Sequence, residues 1–306
     1  MKNLIVLFFI SLSVYSQSVV ETELGKVKGY SSGDIDIYKG IPFAQPPIGE
    51  LRWKAPQPIL PWEGIKECTD FGPSPIQNTP EPFLCWTEEF IAKPEPLSED
   101  CLYLNVWTPA KKQDDKLPVF VWIYGGGLSS GSANCDIYDG EQMAQQGVVF
   151  VSINYRVGVL GFMAHPELSA ESGYNASGNY GFMDQVQALK WVRENISVFG
   201  GDPENVTIAG QSAGSFSVNA QIASPLSNGY FDKAICQSGG LLSGRLLQDL
   251  ETAEKQGMTF MELAMVNSVE ELRKIPADKL QELSNDPKSP RFGVVLDDYF
   301  LPKDLM

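Results

Sequence analysis

The sequence contains little histidine and few cysteines. His165 is the only histidine among 306 residues, and none of the five cysteines belongs to a C-x-x-C pair. Metal sites such as zinc sites are built from clustered cysteine, histidine and carboxylate side chains. His165 has neither a cysteine nor a cluster of carboxylates near it in the sequence, so we predict neither a bound metal nor a cofactor.

Positive charge is also scarce. The chain has 23 basic and 38 acidic residues, which gives a net charge of −15. This charge repels phosphate backbones and anionic lipid surfaces. We therefore expect no nucleic-acid partner, and we interpret the acidic residues as a solubilising surface. No feature of the sequence indicates an oligomeric state.

Long apolar runs are missing after the first residues. Residues 4–10 are almost wholly apolar, follow Lys2 and precede small residues, as is typical of a signal peptide. Serines interrupt this stretch, whereas a membrane-spanning helix needs about 20 apolar residues. We predict a signal peptide at residues 1–16, cleavage near Gln17, and export to the periplasm or the extracellular space without membrane association after cleavage.

The rest of the chain is long and apolar enough to form a substantial core. Glycine-punctuated β-rich runs in residues 19–41 predict antiparallel hairpins at the edge of a sheet. Residues 42–96 are rich in proline and aromatic residues, which predicts irregular structure. The apolar runs at residues 119–124 and 148–154 predict strands buried on both faces.

Helices alternate with the later strands. Apolar residues spaced by three and four predict a helix that ends near Gly200, followed by a strand at residues 206–209. This alternation predicts an α/β fold with a mostly parallel sheet flanked by helices and with ligands at the carboxyl ends of the strands. From residue 246 onward we predict helices broken at Gly257 and Pro276, within a domain whose final strands are missing.

The chemistry is indicated by two G-x-S-x-G patterns, at residues 127–131 and 210–214. A serine hydroxyl becomes an effective nucleophile when a sharp strand-to-helix turn exposes it beside a base. Ser212 follows an apolar β-branched run and precedes a helical pattern, whereas Ser129 leads into a turn-rich stretch. We therefore predict Ser212 as the nucleophile and interpret Ser129 as a loop residue.

A run of three glycines follows the predicted strand at residues 119–124. Acyl transfer places negative charge on a carbonyl oxygen, which backbone N–H groups stabilise. Glycines allow the backbone to approach this oxygen closely. The run can supply two donors, and the N–H of Ala213 a third.

Several further motifs occur in a recognisable order. They are KGIPFA (39–44), SEDCLYLNVW (98–107), WIYGGG (122–127), NYRVG (154–158), FGGDP (199–203) and QSAG (211–214). In these motifs the chain resembles the type B carboxylesterases, a family with the α/β-hydrolase fold that includes cholinesterases and cholinesterase-like adhesion proteins. The resemblance extends from about residue 19 to residue 302 and places a partial domain at residues 17–306.

The resemblance implies hydrolysis of a small-molecule carboxylic ester through an acyl-Ser212 intermediate, with Gly126, Gly127 and Ala213 as the oxyanion hole. It also implies two structural ion pairs, Arg52 with Glu99 and Arg156 with Asp184. Cys101 resembles one half of a family disulfide, and its partner is either Cys68 or Cys85.

The sequence departs from the family pattern at the residue before the nucleophile. Gln211 occupies a position that is usually glutamate. A carboxylate there would stabilise a catalytic imidazolium, so we hypothesise that Gln211 slows acylation or alters the leaving-group preference.

The sequence departs further in its catalytic base. In this fold the acid and the histidine follow the serine in the chain, but no histidine follows Ser212. His165 lies in a string that resembles a non-catalytic family loop, and Asp297 and Asp298 resemble a segment before the catalytic acid. We therefore name no acid or base and expect this chain alone to be nearly inactive. The alternatives are a catalytically dead cholinesterase-like binding or adhesion module and a truncated remnant.

Overall fold

The computed structural model of the protein describes residues 17–241 and 247–304. The predicted signal peptide lies outside these residues. The strands are β1 (Gln17–Thr22), β2 (Gly25–Ser32), β3 (Ile35–Pro42), β4 (Ile65–Glu67), β5 (Ser74–Pro75), β6 (Leu97–Ser98), β7 (Tyr103–Thr108), β8 (Leu117–Ile123), β9 (Val149–Ile153), β10 (Gly201–Gln211), β11 (Lys233–Gln237), β12 (Leu247–Asp249) and β13 (Val294–Leu296).

The helices are numbered along the chain in the same way as the strands. They are α1 (Glu141–Ala144), α2 (Gly158–Phe162), α3 (Pro166–Glu171), α4 (Tyr180–Asn195), α5 (Ala213–Ala223), α6 (Leu250–Leu263), α7 (Val269–Arg273) and α8 (Ala277–Ser284). No helix within the described ranges is both long and apolar enough to cross a bilayer.

The main sheet is mixed. Its strand order is β1-β2-β3-β7-β9-β8-β10-β11, with β4 beside β2. The strands β1, β2, β3, β7 and β9 pair antiparallel with their neighbours in this order, and the first three form the predicted hairpins. The strands β9, β8, β10 and β11 are parallel, as expected for strands joined by helical crossovers. The parallel strands are therefore confined to one half of the sheet.

The carboxyl ends of the parallel strands lie side by side. Ile123, the last residue of β8, is opposite both Ile153 of β9 and Gly210 of β10. Gln211 at the end of β10 is opposite Gln237 at the end of β11. The segments that follow β8 and β10 therefore emerge next to each other.

The two predicted central strands differ in burial. All five residues of β9 are buried, as their apolar run predicts. In β8, Val119, Val121 and Ile123 are buried, but Phe120 and Trp122 are only half-buried. The expectation that both faces of β8 are buried is wrong, because this aromatic face borders an open cavity of about 720 Å³.

The helix α4 packs its predicted apolar side into the core. Phe182, Leu189 and Val192 are fully buried. A 3₁₀ turn follows α4, and Gly200 caps it with a φ of +78°, a left-handed conformation that glycine adopts without steric cost. The chain then enters β10, as the sequence predicts.

The helix α6 corrects one prediction. We expected Gly257 to break the helix, but α6 continues through it. A Cβ atom at this position would lie 1.8 Å from the carbonyl oxygen of Ala164. The glycine therefore permits close packing of α6 on the chain before α3. Pro276 separates α7 from α8, as predicted.

The segment between β3 and β7 is irregular, as its proline content predicts. It contains only β4, β5, β6 and short 3₁₀ turns within the described ranges. The largest hydrophobic cluster nevertheless includes buried residues from Val27 to Leu301. The first hairpins and the last segment therefore share one core.

Candidate active site

Ser212 lies in a sharp turn between β10 and α5. Its backbone has a φ of +56° and a ψ of −120°, values that L-amino acids rarely adopt and that cluster at functional sites. The N–H of Ser212 donates to the carbonyl oxygen of Gln237 at 2.9 Å, and its own carbonyl oxygen accepts from the N–H of Phe216 at 3.0 Å. The turn is therefore held by both β11 and α5.

Two glycines allow this turn to pack directly on β8. A Cβ atom on Gly210 would lie 2.4 Å from the carbonyl oxygen of Gly214, and one on Gly214 would lie 2.1 Å from the carbonyl oxygen of Ile123. These distances are far below van der Waals contact. The glycines of the second G-x-S-x-G pattern thus have a steric role, and the predicted strand, turn and helix around Ser212 are present.

The glycine loop, residues 125–131, follows β8 and lies against the same turn. A Cβ atom on Gly125 would lie 3.2 Å from Cβ of Ser212. Gly126 and Gly127 have φ values of +115° and +64°, in the region that favours glycine. Within the described ranges, no hydrogen bond of the protein uses the N–H of Gly126 or Gly127. Two unused donors therefore lie near Ser212.

A cavity of about 480 Å³ joins the glycine loop to Ser212. Three aromatic side chains of the irregular segment, Phe83, Trp86 and Phe90, form part of its wall, and the rings of Trp86 and Phe90 meet edge to face at 5.3 Å. The cavity lining in the described part of the chain contains no charged side chain. The cavity therefore suits an uncharged, partly apolar ligand.

A second nucleophilic group, the thiol of Cys135, also lines this cavity. Burial raises the pKa of this thiol to about 12. The thiolate is the reactive form of cysteine. At neutral pH the thiol is therefore protonated, and it does not compete with Ser212.

The predicted site residues occupy different positions around the cavity. Ser212, Gly126 and Gly127 line it. Ala213 is buried, and it is the first residue of α5, where N–H groups have no partner within the helix. Ser129 lies in the glycine loop, and its hydroxyl donates to the carbonyl oxygen of Gly126 at 3.2 Å. Ser129 is thus a loop serine, as predicted.

His165 does not line the cavity that contains Ser212. Its side chain is buried at the start of α3, where Nδ1 accepts from the N–H of Glu167 at 3.1 Å. Its Cβ also lies next to Gly257 of α6. These contacts give His165 a local role in capping α3 and packing α6, in agreement with its interpretation as a structural residue.

Asp297 and Asp298 both have local partners. The buried carboxylate of Asp297 accepts from the side chain of Asn179 and from three backbone N–H groups of residues 299–301. Asp298 pairs with Lys303 at 2.5 Å. Asp297 thus organises the turn after β13, and neither aspartate lines the cavity at Ser212.

Both predicted ion pairs are confirmed. Arg52 binds Glu99 through two hydrogen bonds of 2.6 Å. Arg156 binds Asp184 through hydrogen bonds of 2.8 and 2.7 Å, and both side chains are buried. The first pair also bonds to the chain after α7, because Arg52 donates to the carbonyl oxygen of Ile275 at 2.7 Å.

All five cysteines lie in the described part of the chain, and all are unpaired. Cys68 and Cys101 are buried, whereas Cys85 is exposed. Neither of the two pairings considered for Cys101 is therefore present in the structure.

Comparison with known proteins agrees with this geometry. The model of the "Carboxylesterase family" matches residues 16–305. The chain belongs to the carboxylesterase family. It is 42% identical to a fumonisin B1 esterase of Sphingopyxis macrogoltabida over 291 residues, which cover 92% of this chain and 51% of the relative. It is 40% identical to a para-nitrobenzyl esterase of Bacillus subtilis strain 168 over 269 residues, which cover 87% of this chain and 52% of the relative.

Solved carboxylesterases share the fold. The crystal structure of a Geobacillus stearothermophilus carboxylesterase matches with a TM-score of 0.81 at 39% identity and covers 92% of this chain and 57% of that one. The α/β-hydrolase fold predicted from the motifs is confirmed. This carboxylesterase chain spans about half the length of the curated relatives that it matches.

Sequence reasoning missed the wall of the cavity at Ser212. Trp86, Phe90 and Tyr138 line it together with Ser212, although they lie far from Ser212 in the sequence. The one available signal, which covers Trp86 and Phe90 but not Tyr138, was the aromatic content of residues 42–96. That signal predicted irregular structure, but it did not indicate which residues would face the nucleophile.

Proposed function

We propose that this chain carries the nucleophile and the oxyanion hole of a carboxylic ester hydrolase. Ser212 Oγ attacks the ester carbonyl carbon and its proton passes to a base. The base returns this proton to the alcohol oxygen as the bond from that oxygen to the carbonyl carbon breaks, and the neutral alcohol leaves. Water then attacks the carbonyl carbon of acyl-Ser212 while the base takes its proton. Return of that proton to Ser212 Oγ releases the carboxylic acid. The observation that carries this proposal is the strained turn that places Ser212 beside two unused N–H donors.

The oxyanion hole consists of the N–H groups of Gly126, Gly127 and Ala213. The tetrahedral intermediate has a negatively charged oxygen, and preorganised donors stabilise it. The first two donors lie in the cavity lining, and the third lies in the first turn of α5. The positive φ values of Gly126 and Gly127 support this assignment. They keep these residues out of a helix or strand, where their N–H groups would be used in regular hydrogen bonds.

The substrates are small, uncharged carboxylic esters. The cavity volume of about 480 Å³ accommodates a small molecule, and its lining within the described ranges is uncharged and partly aromatic. Gln211 adds an amide at the same wall, where a glutamate would add a negative charge. The two relatives named as esterases support the reaction class.

No histidine of this sequence is placed to act as the catalytic base beside Ser212. His165 is the one histidine, and it is buried against α3 and α6. Loss of the base from a serine triad costs about a millionfold in kcat, while the oxyanion hole and substrate binding retain some rate. We therefore propose that this chain alone is slow in the attack of Ser212 Oγ on the ester, because a base accelerates this step.

Free imidazole tests this proposal. We expect imidazole to accelerate the hydrolysis of 4-nitrophenyl acetate by the chain beyond its effect in buffer, and we expect Ser212→Ala to abolish this excess. Ser217→Ala is the control, since this serine of α5 is buried and bonded to Gln185 away from the cavity. A folded chain with no excess rate would favour a non-catalytic binding module.

A further inference from the structure

The glycine loop is a strained segment, and a buried side chain from another part of the chain hydrogen-bonds to its last residue. Positive φ values occur at Gly126, Gly127, Leu128 and Gly131. Strained backbone persists where its surroundings fix it. The carbonyl oxygen of Gly126 accepts from the N–H groups of Ser129 and Ser130 within the loop. These internal bonds shape the turn, and the carbonyl oxygen of Leu128 attaches its middle to the N–H of Gly158 at 2.7 Å.

Gln77 attaches the end of the loop at Gly131. Its Oε1 accepts from the N–H of Gly131 at 2.8 Å, and its Nε2 donates to the carbonyl oxygen of Gly131 at 2.9 Å. The second proton on Nε2 is directed to the carbonyl oxygen of Pro75 at 3.0 Å. The side chain is 4% exposed. The amide thus pairs with both backbone groups of one loop residue, as a neighbouring strand would.

The loop that carries Gln77 is itself anchored. Ser74 Oγ donates to Ser132 Oγ at 3.0 Å, and Asn134 Nδ2 donates to Ser74 Oγ at 2.9 Å. Asn154 connects the same two segments, because its Nδ2 donates to the carbonyl oxygen of Pro73 at 3.1 Å and its Oδ1 accepts from the N–H of residue 133 at 2.8 Å. Gln77 therefore acts from a fixed support.

The position of Gly131 is transmitted to the nucleophile by direct contact. A Cβ atom on Gly131 would lie 2.5 Å from the carbonyl oxygen of Gly125, so the two backbones touch. Gly125 in turn packs on Ser212, and the next residues carry the two unused N–H donors. A shift of Gly131 would therefore move Gly126 and Gly127 relative to Ser212.

We propose that Gln77 is a positioning residue that holds the glycine loop in register with Ser212, so that the N–H groups of Gly126 and Gly127 meet the oxyanion. This inference rests on the proposed function. The role requires an amide, because the two backbone groups of Gly131 need one acceptor and one donor in the same plane. A carboxylate at position 77 keeps the acceptor for the N–H of Gly131. In place of the donor it puts an oxygen that repels the carbonyl oxygen of Gly131.

The test compares three variants with the wild-type chain. Gln77→Leu removes both bonds without adding charge, and Gln77→Glu removes the donor. Gln45→Glu is the matched control, since the Gln45 amide donates to the carbonyl oxygen of Pro58 away from the cavity. Acyl-Ser212 formation from 4-nitrophenyl acetate is followed with imidazole present, and hydrogen exchange is measured for residues 126–131.

We expect Gln77→Leu and Gln77→Glu to lower the acylation rate at saturating ester by about a hundredfold, the effect of losing an oxyanion donor. The half-saturating ester concentration should not change, and hydrogen exchange of residues 126–131 should accelerate. Gln45→Glu should match the wild type. The rate ratio of Gln77→Glu to Gln77→Leu should rise as the pH falls, because a protonated glutamate regains a donor.

The failures of the two proposals are distinguishable. A wild-type chain that is never acylated at Ser212 refutes the proposed function. A wild-type chain that is acylated, with Gln77→Leu acylated at the same rate, refutes the role of Gln77 alone. Unchanged hydrogen exchange of residues 126–131 in a folded Gln77→Leu chain also refutes it. If Gln77→Glu does not fold, the Gln77→Leu comparison still decides.

Discussion

At the scale of single residues, His165 shows how burial changes the chemistry of a side chain. Burial lowers its pKa below the usual value, although the carboxylates of Glu167 and Glu254 partly oppose this shift. Its Nδ1 accepts a hydrogen bond, so the neutral ring carries its proton on Nε2. No partner for Nε2 exists within the described residues. The folded protein therefore disfavours the charged imidazolium.

This shift predicts a pH dependence of stability. The folded pKa lies below the unfolded one, so the unfolded chain binds a proton first as the pH falls through about 6.5. As the pH decreases, we expect the free energy of unfolding to decrease more steeply in the wild type than in His165→Asn. Asn keeps an acceptor for the N–H of Glu167 but does not titrate. Urea unfolding at several pH values measures the difference, and parallel curves would contradict it.

At the same scale, local sequence predicted the strand and the helix on either side of Ser212, whereas its role as the nucleophile stays a prediction. Ser212, rather than Ser129, was selected because of the strand before it and the helix after it, and both elements are present. Local pattern could select it because the turn is built from consecutive residues. Gln77 was not identified, because its partner Gly131 is 54 residues away and no periodicity connects them.

At the scale of elements, buried charge attaches α4 to the chain that follows β9. Arg156 binds Asp184 of α4 through its guanidinium and through its own backbone N–H at 3.0 Å. Removal of one partner leaves a buried charge without compensation. The position of α4, and with it the packing against β10, therefore depends on this pair.

We expect Asp184→Asn to lower the free energy of unfolding by about 3 to 5 kcal/mol. The control is Glu270→Gln, which breaks the exposed pair with Lys274 and should leave the free energy of unfolding nearly unchanged, since solvent screens this pair. Urea midpoints at equal protein concentration measure both changes. Equal midpoints for the two variants would show that the buried pair contributes no more than a surface pair.

Element boundaries were predictable where the pattern was strong. The apolar run at residues 119–124 became β8 and the run at residues 148–154 became β9, each within two residues at either end. The break expected at Gly257 was wrong, because tertiary packing against Ala164 requires a glycine inside a continuous helix. Local sequence does not reveal such a contact.

At the scale of the whole molecule, the strand order could not be read from the sequence. The strand β9 lies between β7 and β8, and it is antiparallel to one and parallel to the other. This order arises from long-range packing. The aromatic cavity wall has the same origin, since an irregular segment must fold back over the carboxyl ends of the strands.

The edge of the sheet at β11 also affects whether the chain associates in solution. The strand β11 is at the edge of the sheet among the described strands, and all five of its residues are exposed. Ile235 is 41% exposed. Unpaired edge strands present backbone donors and acceptors to other strands. Activity measurements therefore require a check that the chain remains monodisperse.

Both proposals depend on Ser212 being the nucleophile. The most direct measurement is the position of a fluorophosphonate adduct, located by peptide mass spectrometry after reaction of the folded chain with imidazole present. We expect an adduct on Ser212 that is lost in Ser212→Ala and retained in Ser129→Ala. An adduct on Ser129, or an adduct that persists in Ser212→Ala, would contradict it.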